Sequence, residues 1–573
     1  MLICDGDALL HSRWGGFGTR AHGWGIVSST LTMHSNINSF LFVAFAMIAM
    51  TALTSLAARR MRVPQSILLV VVGAAVAFVP GVPLLSLNPD LVLLVLLPPL
   101  LYTSGVGMSW RGFRSNLRPI LLLAVGCVLF TASAVAAIAH WLLHIPWAVG
   151  FVLGAVVSPP DAVAPMAIAR RLSVPKRILT ILEGEGLVND ATALILFSFA
   201  VGAVVSGPAP VLGAVRMFVF IAMAEIAWGL AVGWALLRLR HWTKDSEVEM
   251  VIALLTPFVA FWPPHFLGGS GVLAAVAAGL YTSRNGAGLI SPATRLQGFF
   301  VWGLAVFVIE GVVFFLTGLQ SRVVAQSPGV GQWPHMIEAA AVTVLVVIVV
   351  RFVWVFPASY VSTLLGANRG EAPPSWQGIF LVGFTGIRGV VSMVAALSIP
   401  EFAGELPFPE RNLIMFVTFC VIIVSMVGQG TMLPRVIHWL RLDQAGVREA
   451  QLAKQNEVAA RVAAIEEAMR KLEELEREGA INRTVANLRQ LHEDRRLDFL
   501  ETADATIAGA PAVDAAAAQL KLLAAERASI AAWHAEGKLS DEARRRVERE
   551  LDLEDARVRH AADSATGPEF TDL

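Results

Sequence analysis

The sequence ILEGEGLVNDATALILFSF, residues 181–199, sets two glutamates, an asparagine and an aspartate inside a run that otherwise has the composition of a membrane helix. A lipid-facing carboxylate costs about 2.5–3.5 kcal/mol on insertion scales, so acids at this density must face a hydrated cavity or a polar partner. Such a helix is typical of proteins that move solutes across a bilayer. The stretch therefore predicts a helical membrane protein with a transport function.

The composition supports this class and divides the chain into two parts. Of the 573 residues 56% are hydrophobic and 15% are charged, and the mean hydropathy is +0.65, which is too apolar for an ordinary soluble protein. The formal net charge is zero, yet the chain after Arg441 is rich in Ala, Glu and Arg. We expect a transmembrane domain over 37–441 in contact with the lipid bilayer and a cytoplasmic helical tail over 442–573, with no nucleic-acid partner.

Enzyme chemistry finds no support in the sequence. The three cysteines, Cys4, Cys127 and Cys420, have neither metal-ligand nor disulfide spacing. No cluster of nucleophile and base, or of metal ligands, is present in the pattern. We expect neither an enzyme nor a cofactor.

The first 36 residues form a separate segment. They contain turn formers and tryptophans, but no apolar run of spanning length and no signal-peptide pattern. We expect an extracytoplasmic extension over 1–36, with Met33 as an alternative start to Met1.

Apolar runs of spanning length predict about thirteen transmembrane helices. They lie near 38–58, 65–80, 89–107, 119–140, 146–169, 177–206, 211–237, 247–266, 268–284, 297–320, 336–362, 377–399 and 411–433. Clusters of Arg and Lys follow the odd-numbered spans, whereas loops after even-numbered spans carry almost none. The positive-inside rule then predicts a multi-pass protein of the cell (inner) membrane with its N-terminus outside and its tail in the cytoplasm.

Two spans contain sequence that is hard to hold as a plain helix in lipid. They are VVSPPDAVAP at 156–165 and GFTGIRGVVS at 383–392. Tandem prolines remove backbone donors, and irregular backbone at membrane depth survives only where it lines a cavity. The breaks fall in the fifth and twelfth spans, which are equivalent positions if the seventh span joins two six-helix halves. Paired broken helices predict an inverted-repeat transporter; the alternative is that Pro and Gly merely kink ordinary helices.

A cation site is predicted where the fifth and sixth spans bring acids together. Asp161 follows the first break, and Asn189 and Asp190 lie midway along the sixth span. These hard oxygen ligands suit Na⁺ or Li⁺, and the carbonyl before Pro160 is a further candidate ligand. Burial and a like-charged neighbour favour a protonated carboxyl, so that H⁺ competes with the cation at Asp190. The alternative is that Asp190 is a packing carboxyl satisfied by hydroxyls of its own helix, such as those of Thr192 or Ser198.

Other ionisable residues of the spans have different expected roles. Glu185 points to another face than Asp190, and we expect it to pair with Arg351, which stands alone in an apolar run; other pairings stay open. Arg388, at the second break, would offset the negative half-helix end or the site carboxylates. Glu310 either lines the ion pathway or packs against backbone, and Glu225 is more consistent with a structural role.

At these residues the sequence resembles the monovalent cation:proton antiporter family, which includes the bacterial and eukaryotic sodium/proton exchangers. The matching motifs run in order from LLPPLLY (96–102) through SPPDAVAP, LEGEGLVNDATAL, SGVLAAVAAGLYTSR, EGVVFFLTGLQ and GIRGVVSMVAALSIP to VGQGTMLP (427–434).

The resemblance implies an architecture and a mechanism. It implies a homodimer in which core helices over about 119–206 and 336–433 move like an elevator against dimerisation helices over about 38–107 and 247–320, with 211–237 as linker. The fifth and twelfth spans would cross in the core.

The resemblance also assigns roles to residues. Asp190 would carry Na⁺ and H⁺, supported by Asp161 and Asn189, with Glu185–Arg351 as the core salt bridge and Arg388 as charge balance at the crossing. An Asn at position 189, where some relatives have a second Asp, is similar to the branch that exchanges one ion for one proton.

The sequence departs from the usual family pattern at three positions. Pro160 and Gly186 replace residues that carry hydroxyls in many relatives, and Thr103 replaces an acid of archaeal-type members. We therefore place Thr103, Ser158 and Pro160 with Glu310 as candidate pathway residues. Because the site then has fewer side-chain oxygens, K⁺ becomes an alternative substrate. A further alternative for the function is a non-transporting sensor or channel whose output is the tail.

The tail has the pattern of a coiled coil. Apolar residues at 458, 462, 465, 469 and 472 alternate spacings of four and three, and a break follows at Gly479. A second helix is predicted over 512–536, and 538–542 reads as the N-terminus of a last helix. We expect a module that packs on its dimer mate, the alternative being a solvated helical extension.

Overall fold

The structure, a computed structural model, is almost entirely helical. It describes residues 45–61, 63–80, 89–207, 210–243, 245–326, 333–364, 375–477, 489–490, 492–493, 511–535, 547 and 550–559. The extension 1–36, the Gly479 break and the predicted N-terminus at 538–542 lie outside these residues.

Thirteen membrane-level helices follow one another in the described residues. They are α1 (45–61), α2 (Gln65–Ala77), α3 (Pro89–Gly107), α4 (Leu117–Leu143), α5a (Trp147–Val157) and α5b (Val163–Arg171), α6 (Lys176–Ser206), α7 (Val211–Trp242), α8 (Ser246–Phe266), α9 (Val272–Asn285), α10 (Pro292–Gln326), α11 (Trp333–Leu364), α12a (Trp376–Phe384) and α12b (Val390–Leu397), and α13 (Arg411–Trp439). Eight of these are long and apolar enough to span a bilayer by themselves. Each predicted span thus corresponds to a helix or to a broken pair.

A few small elements connect the long helices. A short helix, Trp110–Ser115, follows α3, and a single 3-10 turn, Gly286–Gly288, follows α9. Two two-residue strands, β1 (Phe402–Ala403) and β2 (Leu406–Pro407), form an antiparallel hairpin between α12b and α13.

Both predicted interruptions are real breaks in the helix. Pro159 and Pro160 fall between α5a and α5b, where a missing backbone N–H removes no helical hydrogen bond. The second break, between α12a and α12b, contains Gly386 and Gly389. The two breaks cross each other, because the backbone N–H of Asp161 donates to the Ile387 carbonyl at 2.7 Å. The simple-kink interpretation is therefore wrong for both spans.

Glycines let several helix pairs approach closely. A Cβ on Gly73 of α2 would collide with the Phe315 carbonyl of α10, and one on Gly105 of α3 would lie 2.9 Å from the Val276 carbonyl of α9. Since such contacts leave no room for a side chain, these pairs pack backbone against backbone. On the other side of the bundle, α4, α5a, α11, α12b and α13 share one apolar cluster.

Glu225 of α7 has a structural role at the start of α9. Its buried carboxylate accepts hydrogen bonds from the backbone N–H groups of Ser270 (2.5 Å), Gly271 (3.0 Å) and Leu273 (3.2 Å). A carboxylate on the free N–H groups of a helix N-terminus caps that helix and complements its dipole. Glu225 thus joins α7 to α9.

The tail begins directly after α13. Helix α14 (Leu442–Arg477) starts against the loop between α5b and α6, where a Cβ on Gly446 would collide with the Ser173 carbonyl. Of its predicted apolar seam, Ile465 and Leu472 are buried within this one chain. Two further helices, α15 (Pro511–Ala535) and α16 (550–559), complete the described tail.

Candidate functional site

The crossing of the broken helices places the predicted acids in one region. Asp161 lies in the first break, where its carboxylate accepts a hydrogen bond from the Val163 N–H at 2.8 Å and so caps α5b. A Cβ on Gly389, at the start of α12b, would collide with the same carboxylate. Any side chain at position 389 would therefore displace Asp161, and this steric conflict explains why residue 389 is a glycine.

Asn189 connects α6 to the first break. Its Nδ2 donates to the Pro160 carbonyl at 2.6 Å, and its side chain is fully buried. The amide oxygen Oδ1 has no hydrogen-bond donor in the described part of the chain. A buried amide oxygen without a donor is rare in proteins, which makes it a candidate cation ligand, although Asn189 is not among the residues that line the cavity described below.

Asp190 lies beside Asp161 at the wall of a large cavity. Its carboxylate makes no hydrogen bond or ion pair with any described residue. The hydroxyls proposed as alternative partners, Thr192 and Ser198, instead donate to the carbonyls of their own helix at 3.2 and 3.0 Å. The contacts that a packing carboxyl would require are thus not made.

Arg351 and Glu185 form a buried bidentate ion pair between α11 and α6. The guanidinium donates from Nη1 and Nη2 to the two carboxylate oxygens at 2.6 and 2.9 Å, and both side chains are 2% exposed. Nε and Nη2 also donate to the Val382 carbonyl at 3.2 and 3.0 Å. Each charge is therefore neutralised and hydrogen-bonded, which a buried pair requires.

Arg388 contacts backbone carbonyls rather than carboxylates. Its Nε donates to Val157 at 2.9 Å, Nη2 lies 3.5 Å from the Ser158 carbonyl, and Nη1 donates to Gly386. Val157 is the last residue of α5a, so the cation offsets the negative end of that half-helix. Of the two expected roles for Arg388, the geometry matches this one.

The cavity has a volume of about 820 Å³ and extends from Asp161 and Asp190 to one end of the bundle. That end carries the exposed residues Arg170 and Arg295. The predicted pathway residues Thr103, Pro160 and Glu310 line it.

Two of the predicted pathway residues have hydroxyl oxygens that are already engaged in hydrogen bonds within the protein. Ser158 does not line the cavity; it is 2% exposed and its hydroxyl donates to the Ala155 carbonyl at 3.2 Å. The Thr103 hydroxyl donates to carbonyls of its own helix at 2.8 and 3.0 Å. Glu183, for which the sequence suggests no role, pairs with Arg170 near the cavity mouth.

One residue that sequence reasoning passed over belongs to the site. Ser392 lines the cavity, is 2% exposed, and its Oγ has no hydrogen-bond partner in the described residues. It lies three residues after Gly389, hence on the same face of α12b as the contact with Asp161. The signal was present in the motif GIRGVVS, whose final serine follows the break by one helical turn.

At Gly186, where a hydroxyl was expected from the family pattern, the packing explains its absence. A Cβ there would lie 2.7 Å from the Ala162 Cβ in the first break. A serine at this position would require α6 and the break to separate. The oxygens left at the site are therefore those of Asp161, Asn189, Asp190 and Ser392.

Comparisons with known proteins show which family the chain is similar to. Residues 45–439 match the family model for the transmembrane part of sodium/hydrogen exchangers. An uncharacterized Na⁺/H⁺ exchanger of Mycobacterium tuberculosis is 35% identical over 432 residues, which are 72% of this chain and 77% of the relative. A sodium, potassium, lithium and rubidium/H⁺ antiporter of Bacillus subtilis is 33% identical over 386 residues, covering 65% of this chain and 57% of the relative.

The fold has a counterpart among solved structures. The sodium proton antiporter MjNhaP1 of Methanocaldococcus jannaschii superposes with a TM-score of 0.55 at 16% identity, covering 70% of this chain and 99% of that one. At this identity the likeness concerns the fold alone, which is the predicted all-α polytopic fold. The protein is thus a multi-pass membrane protein and not an enzyme, and the chain belongs to the sodium/hydrogen exchanger family of monovalent cation:proton antiporters.

Proposed function

We propose that the protein exchanges Na⁺ or Li⁺ for H⁺ with one-to-one, electroneutral stoichiometry, using Asp190 as the shared carrier. The observation that carries the proposal is the arrangement at the crossing. Two carboxylates, those of Asp161 and Asp190, line the inner end of a cavity that reaches the surface. The amide oxygen of Asn189, which precedes Asp190, is buried behind this wall and has no donor among the described residues. Such a set of hard oxygens suits a small alkali cation.

The charges explain the stoichiometry. Among the described residues, neither Asp161 nor Asp190 has a cationic side chain in contact, and the nearby Arg351 and Arg388 are bound to Glu185 and to carbonyls. Asp190 then holds either a cation or a proton, which is sufficient for antiport by competition at one carboxylate. Because Asn189 cannot titrate, the site has one proton carrier fewer than a site with Asp at that position.

Asp161 and Asn189 act as supports. The N–H of Val163 and the backbone of the first break hold Asp161 in place, and the Asn189 Nδ2 bond to Pro160 turns Oδ1 away from that carbonyl. Arg388 stabilises the crossing by offsetting the negative end of α5a. Glu185 and Arg351 keep α6 and α11 together during movement.

Alternating access would follow from an elevator movement within a homodimer in the cell membrane. The helices α4–α6 and α11–α13 form the moving core, α1–α3 and α8–α10 the dimerisation scaffold, and α7 the linker. The distribution of Arg and Lys supports a cytoplasmic cavity mouth, with Arg170 and Arg295, an N-terminus outside and a tail inside. The described conformation is then inward-facing.

K⁺ is the second candidate substrate, and a specific observation favours it. Position 186 is too crowded for a hydroxyl and position 160 is proline, so the shell around a cation is less complete in side-chain oxygen. A less strictly coordinated ion tolerates this better than Na⁺. A relative at 33% identity is named as an antiporter of sodium, potassium, lithium and rubidium.

The test is proton flux in everted membrane vesicles, measured with Na⁺, Li⁺ and K⁺ across pH. We expect Na⁺ or Li⁺ to dissipate a preformed proton gradient, Asp190→Asn to abolish the response, and Glu247→Gln, an exposed acid in the first turn of α8, to leave it unchanged. Electroneutrality predicts that collapsing the membrane potential with valinomycin and K⁺ does not alter the rate of Na⁺ exchange.

The same assay separates the alternatives. A response to K⁺ with none to Na⁺ selects the K⁺/H⁺ antiporter. Wild-type exchange in Asp190→Asn contradicts the carrier role. Passive cation currents without coupled proton flux would identify a channel or sensor with the tail as output.

A further inference from the structure

A buried arginine at the cavity wall has no partner in the part of the chain that the structure describes. Arg240, in the last turn of α7, is 6% exposed, and its Nε is enclosed without a hydrogen-bond acceptor. Within the described residues its guanidinium makes no ion pair or side-chain hydrogen bond. Arg351 and Arg388, each 1% exposed, are fully engaged by comparison.

The neighbouring acids do not supply the missing partner. Glu249, buried in the first turn of α8, accepts a hydrogen bond from the Ser291 hydroxyl at 3.3 Å and forms no ion pair with Arg240. Glu183 pairs with Arg170. The site carboxylates and Glu310 share the cavity but lie beyond ion-pairing distance of Arg240. A buried guanidinium in this position is strongly disfavoured unless an anion reaches it.

The surroundings of Arg240 select the kind of anion. Thr282 and Thr294 are among the hydroxyl residues that line the same cavity, while most of its other lining residues are apolar. Apolar residues on the helices around Arg240 include Leu97, Leu101, Met250, Phe299 and Trp302. A guanidinium fork binds carboxylate or phosphate oxygens, and the apolar side chains beside it fit a hydrocarbon chain attached to such a head group.

We propose that the Arg240 end of the cavity binds an anionic amphiphile, whose carboxylate or phosphate head pairs with the guanidinium and whose acyl chain lies along α3, α8 and α10. The head neutralises the arginine without a protein carboxylate. The chain covers the apolar wall, which water would otherwise contact. The inference concerns binding alone and does not depend on which cation the protein transports.

Binding is tested on the full-length protein in detergent by native mass spectrometry and thermal unfolding. The probes are dioleoyl-phosphatidylglycerol, phosphatidylcholine with the same chains, and inorganic phosphate. We expect phosphatidylglycerol to bind and to raise the unfolding temperature, whereas phosphatidylcholine and inorganic phosphate do neither. Equal effects of the two lipids would show hydrophobic binding only, and an equal effect of phosphate would show a free-anion site; both outcomes overturn the proposal.

The residue is tested with a matched pair of variants. In Arg240→Gln we expect the dissociation constant for phosphatidylglycerol to rise about 10- to 100-fold, as for the loss of one charge-assisted hydrogen-bonded pair. Arg238→Gln removes an exposed charge two residues earlier on α7 and should bind as wild type. Wild-type affinity in Arg240→Gln overturns the proposal.

A folding control keeps the result interpretable. The unliganded Arg240→Gln protein should unfold at or above the wild-type temperature, because a charge without a partner has been removed from the interior. If Arg240→Gln does not fold, Arg240→Lys takes its place, because lysine retains the charge but lacks the guanidinium fork. Arg240→Lys must then weaken phosphatidylglycerol binding for the proposal to stand. Loss of ion exchange in vesicles with lipid binding intact would contradict the proposed transport function and leave this site supported.

Discussion

Ser392 offers an explanation of how the site compensates for its missing hydroxyls. In helices, serine hydroxyls usually donate to a carbonyl of the preceding turn, as Ser398 does to Val394 at 2.8 Å. Ser392 makes no such bond although it is buried, so its oxygen is free to face the cavity. We propose that Ser392 and the Asn189 Oδ1 together replace the oxygens that positions 160 and 186 do not provide.

We predict that Ser392→Ala weakens the apparent affinity for the transported cation about 5- to 10-fold, which corresponds to roughly 1 kcal/mol for one lost ligand. The maximal exchange rate should change little, since Asp190 is untouched. Concentration series of Na⁺ and K⁺ in vesicles measure the two quantities separately. Ser398→Ala, whose hydroxyl is bonded within its own helix, is the matched control. An unchanged half-saturation concentration in Ser392→Ala would exclude the serine from the site.

The site residues that could be predicted are those whose free-energy cost in a membrane follows from the sequence alone. Asp161, Asp190 and Arg351 are ionisable groups inside apolar runs, and this alone marks them for a site or a partner. Ser392 carries no such signal, because placing a serine in a membrane helix costs little free energy. The sequence likewise does not show that Arg240 lacks an acidic partner among the described residues, because this depends on which acids of α6 and α8 pack near it.

At the scale of elements, Glu185 and Arg351 join α6 to α11. We predict that Glu185→Gln or Arg351→Met destabilises the protein by about 3–5 kcal/mol, because each change leaves the other charge buried and uncompensated. Thermal unfolding in detergent measures the effect. The double variant Glu185→Leu/Arg351→Met should recover much of the loss, since no charge is then stranded.

The control for this pair lies two residues earlier on the same helix. Glu183 pairs with Arg170 at the surface, where the side chains are 25% and 66% exposed. Glu183→Gln should cost less than about 1 kcal/mol, as is usual for exposed ion pairs. Equal destabilisation by Glu183→Gln and Glu185→Gln would contradict the buried-charge argument.

In the tail, ion pairs connect the side chains of α15 and α16. Arg527 donates to Asp555 and Asp552, each at 2.8 Å, and Arg559 also donates to Asp555. The hydrogen bond from Arg527, followed by that from Arg559, lowers the pKa of Asp555 below its usual value. A lowered pKa in the folded state means that the contact stabilises the tail above the unfolded pKa, about 3.9, and loses this contribution as the pH falls further.

We therefore predict that α15 and α16 stay together from neutral pH to about pH 4 and separate progressively below it. Spin labels at Ala524→Cys and Ala556→Cys, both exposed positions, report the distance between the helices. Asp555→Asn should remove the pH response, because the titrating carboxyl is absent. An identical distance distribution at pH 3 and pH 7 in the unmutated pair would refute the prediction.

Element boundaries were largely predictable because hydropathy and proline act locally. The predicted spans 89–107 and 177–206 differ from α3 and α6 by at most one residue at either end. The two breaks follow from Pro159–Pro160 and from Gly386 and Gly389, which weaken a helix whatever surrounds them. The hydrogen bond from Asp161 to Ile387 does not follow in this way, because it joins residues more than 200 positions apart.

The proposed elevator divides the bundle into two sets of helices, the scaffold and the core. In the scaffold, α2–α10 and α3–α9 meet through glycines, with backbone against backbone. In the core, α4 and α5a meet in the same way at Gly154, and α4, α5a, α11, α12b and α13 share an apolar side-chain cluster that also includes Val324 of α10. An elevator requires the boundary between the sets to slide while each set stays rigid. In the proposed mechanism, contacts across that boundary therefore break during every transport cycle, whereas contacts within a set persist.

This requirement predicts that a disulfide across the boundary stops exchange and one within the core does not. A Cβ on Gly430 of α13 would lie 2.7 Å from Cδ1 of Ile67 in α2, so Ile67→Cys/Gly430→Cys joins core to scaffold. A Cβ on Gly383 of α12a would lie 2.8 Å from Cδ1 of Phe352 in α11, so Phe352→Cys/Gly383→Cys is a geometrically matched pair inside the core. With the native cysteines replaced by alanine, oxidation should abolish cation-dependent proton flux in the first variant, and reduction should restore it. The second variant should transport equally well oxidised and reduced. Full activity of the oxidised first variant, with the cross-link verified by mass spectrometry, would show that core and scaffold do not slide at this contact.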